Sequence, residues 1–84
     1  MYIVTLTHIE ADGNDYTKVM SKHRTRSAAI KAMLKKMASF YGWQSVKEFR
    51  EELEEEYDDA LQTGKFKIEM PTMDSTGFWS VVEV

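Results

Sequence analysis

Apolar and polar residues alternate at both ends of the chain and recur at helical spacing through its middle. Tyr2 to Ile9 is a period-two run rich in β-branched residues, with Tyr2, Val4, Leu6 and His8 in one phase, which predicts a strand. Ala11 to Asp15 is turn chemistry, because Gly and Asn accept positive φ and Asp bonds back to the backbone. Alternation resumes from Tyr16 to Lys22, so the first 22 residues predict a β-hairpin with Gly13 and Asn14 at its tip.

Thr25 is placed to cap a helix. Ile30, Met33, Leu34, Met37 and Tyr41 then fall on one helical face, and Gly42 stands where a left-handed residue would close the element. Ser45-Val46-Lys47-Glu48 has the capping-box pattern S-x-x-E, which predicts a second helix. Its buried stripe would be Val46, Phe49, Leu53, Tyr57, Ala60 and Leu61, with Gly64 at its end. Period two returns at Lys65, putting Phe66, Ile68 and Met70 on one face. Pro71 to Gly77 interrupts the run and Phe78 to Val84 predicts a last strand.

The expected order is ββααββ. A single α+β domain over residues 1–84 follows, with an antiparallel four-stranded sheet and a two-helix hairpin packed on one face. Eighty-four residues with 43% hydrophobic and 30% charged side chains suit a globular domain with a modest core. There is no cysteine, hence neither disulfide framework nor thiolate chemistry. No signal-peptide pattern and no run approaching the roughly 20 apolar residues of a membrane span is present, so a soluble, cytoplasmic protein is expected.

Charge changes the picture most. Lys18 to Lys36 holds seven Lys and Arg and no acid, whereas Lys47 to Asp59 holds eight Asp and Glu against Lys47 and Arg50 alone. Divided after Trp43, the two parts carry +4 and −7, for a net −3. Such asymmetry indicates an interaction surface rather than a reaction.

If residues 46–61 form one helix, its acids oppose each other in five i,i+4 pairs, from Glu48/Glu52 to Glu55/Asp59. That repulsion amounts to about 1–2.5 kcal/mol before screening. Glu55, Glu56, Asp58 and Asp59 would also crowd the negative end of the helix dipole. One explanation is a solvated face that keeps a small protein in solution. The other is a row of carboxylates in place of a phosphate backbone, docking on a Lys/Arg-lined groove with Glu48, Glu51, Glu52, Glu55, Glu56 and Asp59.

The basic segment offers an alternative from another class. Lys22, Arg24, Arg26, Lys31 and Lys35 would contact nucleic-acid phosphates directly, although the same residues also serve as cationic cover beside an acidic neighbour. A chain with one positive and one negative region can also assemble with itself, head to tail or across a two-fold axis.

Catalytic chemistry is sparse. His8 and His23 are the only histidines, and neither has a carboxylate at ligand spacing. No H-E-x-x-H, G-x-S-x-G or phosphate-cradling glycine loop occurs. Asp12, Asn14 and Asp15 lack the distant Glu of a calcium loop. No enzyme, metal or cofactor is expected. Met73, in the interrupted segment, suits an adaptable contact, and Trp79 suits either core or an interface anchor.

In size, charge layout and absence of catalytic motifs, the chain resembles in type the small acidic inhibitors that phages and mobile elements carry against host nucleases, such as anti-CRISPR and anti-restriction proteins. No shared sequence pattern carries that resemblance. It implies a non-catalytic inhibitor acting in a host cytoplasm, with a basic nucleic-acid-binding protein as its partner.

Overall fold

The period-two ends of the chain form two hairpins that join edge to edge, and the helical middle crosses one face of the sheet they make. In the computed structural model, which describes residues 1–13, 15–70 and 75–84, the elements are strands β1 (Tyr2–Glu10) and β2 (Tyr16–His23), helices α1 (Arg26–Phe40), α2 (Val46–Glu52) and α3 (Glu54–Thr63), and strands β3 (Lys65–Met70) and β4 (Ser75–Glu83). The sheet order is β2-β1-β4-β3, antiparallel throughout. The ββααββ order thus holds, with its second helical segment in two pieces. Asn14, Pro71 and Met73 lie outside the described residues.

Register fixes what each side of the sheet carries. Val4, Leu6 and His8 are buried beneath the helices, together with Trp79 and Phe66 of the neighbouring strands. From the helices, Ile30, Met33, Leu34, Met37, Phe49 and Ala60 complete this core. Trp79 belongs to the core rather than to an interface, since it is fully buried and its indole N–H donates to the Tyr41 hydroxyl at 2.9 Å. Burial raises the Tyr41 phenol above its usual pKa, and the Trp79 hydrogen bond pulls the other way. In β2 the pairing with β1 shifts between Val4 and Thr5, leaving Met20 as a bulged residue on the edge strand.

Local chemistry sets the helix ends. Thr25 Oγ1 accepts from the Ala28 amide at 3.1 Å, opening α1. At its other end Trp43 N–H reaches Ala38 C=O at 2.8 Å and Gly42 has φ +84°, a Schellman closure that turns the chain directly into α2.

Three expectations are corrected. The last strand begins at Ser75 instead of Phe78, because Gly77 is a strand residue whose missing side chain makes room for the Tyr41 hydroxyl. Leu61 is exposed rather than part of the buried stripe. The helix expected over residues 46–61 breaks at Leu53, whose φ −130° and ψ 59° leave the helical region. The break gives α3 its own start and places Glu54, Glu55 and Glu56 in a first helical turn.

Candidate functional site

The acidic face stands on α2 and α3, and aromatic packing holds it in place. Ser45 Oγ accepts from the Glu48 amide at 3.2 Å, while the Glu48 carboxylate accepts from the Gln44 amide at 3.0 Å. The capping box therefore closes on the residue before Ser45. Phe49 is fully buried beneath α2, stacked on Trp43 with centroids 4.5 Å apart and edge-on to Tyr57 and Phe66. The Trp43 indole N–H donates to the Glu52 carboxylate. Two of the six expected contact residues, Glu48 and Glu52, are thus engaged within the fold.

The other four are differently placed. Glu51 is exposed beside Lys47, Arg50 and Glu54, so cations interrupt the acidic surface of α2. Glu55, Glu56 and Asp59 lie together around a shallow depression on α3. Among the described residues, none of Glu51, Glu54, Glu55, Glu56, Asp58 and Asp59 is ion-paired with a basic side chain. The strongest unneutralised patch is therefore on α3, with Glu55, Glu56 and Asp59 at its centre.

The break at Leu53 also changes the cost of this patch. Glu51/Glu55 and Glu52/Glu56 no longer share a continuous helix, which leaves three of the five repulsive pairs within one element. Glu54, Glu55 and Glu56 now face the positive end of the α3 dipole, while Asp58 and Asp59 lie toward its negative end. Unequal effects follow for neutralisation. Asp58→Asn should raise the melting temperature by about 1–3 °C, because relief of the dipole clash and of the Glu54/Asp58 repulsion add, whereas Glu54→Gln should change it less, because the two oppose. Thermal melts monitored by circular dichroism at low ionic strength measure both, and equal shifts of one sign would contradict this dipole assignment.

The basic set does not form one surface. Lys22 pairs opposite Ile3, on the sheet side away from the helices. Arg24 is exposed between β2 and α1. The Arg26 guanidinium donates to the Gln62 carbonyl at 2.9 Å, clamping the C-terminal turn of α3 to the start of α1. Lys31 borders a depression with Arg26 and Leu61, and Lys35 borders another with Trp43 and Ser45. Lys31 and Lys35 thus lie on the helical side of the molecule, opposite to Lys22.

The two histidines have local partners. His8 Nε2 lies 3.0 Å from Glu10 Oε1 and its ring stacks on Tyr16, whereas His23 Nε2 lies 2.7 Å from Ser21 Oγ. Among the described residues no three His, Asp or Glu side chains are grouped to hold a metal ion, and no helix is long and apolar enough to cross a membrane.

The sequence reading missed the sheet face opposite the helices. Ile3 and Ile9 of β1 stand there beside Val82 and Phe78 of β4, with Val19 on β2. Their signal was present as apolar residues in the second phase of β1, where Ile3 and Ile9 break a clean inside–outside alternation.

Comparison with known proteins gives no relative from which to transfer a role: no family model, no curated protein and no solved structure matches this chain.

Proposed function

We propose that this protein is a non-catalytic binding module that presents the carboxylates of α2 and α3 to a basic groove of a nucleic-acid-binding protein, occupying it in place of nucleic acid. The observation that carries this reading is the state of the α3 acids. Among the described residues they are exposed and have no ion-pair partner, in a domain with eleven Lys and Arg side chains that could have neutralised them. A face meant only for solubility gains from interspersed charges of both signs, whereas a docking face gains from one uncompensated sign.

Charge density supports the same reading. Glu54 to Asp59 carries five carboxylates over a rise of about 7.5 Å, a length of duplex DNA that bears four or five phosphate charges. The acids point outward around a short helix, so the match is one of density and not of groove geometry. Association driven this way is fast, and it weakens as salt shortens the range of the field.

The test is charge reversal where the fold does not use the carboxylate. Glu55→Lys/Glu56→Lys/Asp59→Lys should lower affinity for the partner by at least 100-fold, at about 1–2 kcal/mol per reversed contact. Reversing Glu52 is less informative, because its loss also frees the Trp43 indole. A triple variant that folds and binds with unchanged affinity would rule out the acidic face as the contact surface.

A further inference from the structure

All three helices cover one side of the sheet, and among the described residues nothing covers the other. The open side carries no charge along its two central strands, where Ile3, Ile9, Phe78 and Val82 alternate with Ser and Thr. Phe78 on β4 is 37% exposed, Val82 41% and Ile9 on β1 41%, with Val19 on the β2 edge at 56%. Thr5, Thr7 and Ser80 fill the positions between them. Charged side chains on this side belong to the outer strands: Lys22 on β2, and Lys65, Lys67 and Glu69 on β3. Lys67 is already occupied, 3.1 Å from Glu69 and 5.8 Å above the Phe78 ring. An apolar centre with a charged rim is the anatomy of a protein–protein contact.

Area and charge both admit a second copy of this chain as the occupant. β1 and β4 are nine residues long, β2 eight and β3 six, so at about 4.8 Å spacing and 3.3 Å per residue the sheet offers roughly 500 Å² of face, and two such faces together reach the ~1,000 Å² that a specific interface needs. The acids of α2 and α3 all lie on the helical side. In a face-to-face pair they stand on opposite outer surfaces, separated by two sheets about 10 Å apart plus a helical layer on each side, well beyond the ~8 Å Debye length at physiological salt. A second copy can therefore cover this face without bringing the two acidic regions together.

We infer that two copies of this chain associate through their open sheet faces about a two-fold axis, with Phe78 near the centre and Lys22 and Lys65 at the solvated rim. Such an arrangement closes on itself and leaves both α2–α3 faces free.

Sedimentation equilibrium of the full chain tests this directly. The mass should rise from the 9.8 kDa monomer toward twice that value between about 1 and 200 µM, the weak end expected for an interface of modest area. Phe78→Lys should weaken the association by at least about 30-fold, as for an aromatic anchor lost from an interface centre. Val82→Lys tests the other end of the face separately. Dilution of the wild type, followed by amide NMR, should shift Thr7, Phe78 and Val82 and leave α3 unchanged, a readout that needs no variant to fold. A mass that stays at 9.8 kDa throughout would overturn the inference. So would dilution shifts confined to the helices, wild-type association in both folded variants, or a monomer that instead binds a single-stranded oligonucleotide through Phe78.

Discussion

Phe49→Ala should destabilise the protein by about 3–5 kcal/mol, the usual cost of deleting a buried aromatic ring. A domain of this size has roughly 5–15 kcal/mol in total, so the variant should be partly unfolded well below the wild-type transition. The reason lies in what the ring touches. Phe49 is the fully buried side chain of α2, stacked on Trp43 and edge-on to both Tyr57 of α3 and Phe66 of β3. One ring thus ties the loop after α1, both acidic helices and the sheet together. Removing it leaves a cavity that Ala cannot fill and takes away the seat of the acidic face. Urea denaturation should show a lower midpoint with a similar slope. A midpoint within a few tenths of a molar of wild type would mean that α2 is not anchored through Phe49.

The second large effect is expected where the sheet meets α1. Gly77 lies directly against the Tyr41 hydroxyl, so a Cβ there would occupy space the oxygen holds. Tyr41 has little freedom to withdraw, because its hydroxyl accepts the hydrogen bond from the buried Trp79 indole. Gly77→Ala should therefore cost about 1–3 kcal/mol as an overpacked site, even though Ala suits a strand better than Gly does. Tyr41→Phe alone should cost about 1–3 kcal/mol by leaving the Trp79 N–H without its acceptor. Combined, the two should cost clearly less than their sum, since removing the oxygen removes the clash. A double-mutant cycle by urea denaturation measures the coupling, and additive losses would show that Tyr41 and Gly77 are not in steric competition.

The element order could be read because local signals agree with tertiary demands nearly everywhere. Thr25, Ser45, Gly42 and Gly64 mark helix ends by chemistry that acts within a few residues, and each terminus lies where that chemistry places it. The break at Leu53 has no such mark. Leu is a good helix former, and the apolar stripe runs through it without a change of phase. The departure makes sense only in three dimensions, where it gives α3 its own N-terminus and seats three glutamates there. Gly77 misled for the converse reason. A glycine beside a proline-containing segment suggests a loop, but here it answers to a tyrosine 36 positions earlier in the chain.

The candidate site divides along the same line. The density of acids was plain in the sequence, since no fold can disperse eight carboxylates within twelve residues. Which of them the fold uses internally was not, because the bonds of Glu48 and Glu52 depend on how the chain turns at Gly42 to Gln44. The basic segment looked continuous, yet strand alternation and a helix turn send Lys22 and Lys31 to opposite sides of the molecule. The apolar sheet face was hidden by β1, whose two phases both carry large aliphatic residues.

The central claim is that α3 takes the place of nucleic acid on a basic partner, and direct competition tests it. The protein would be immobilised, used to capture partners from nuclease-treated bacterial lysate, and then challenged with duplex DNA, alongside the Glu55→Lys/Glu56→Lys/Asp59→Lys variant. The expected result is a nucleic-acid-binding protein that the wild type retains, that the variant does not, and that DNA elutes in proportion to its concentration. Capture of the same proteins by both forms, with no release by DNA, would contradict it.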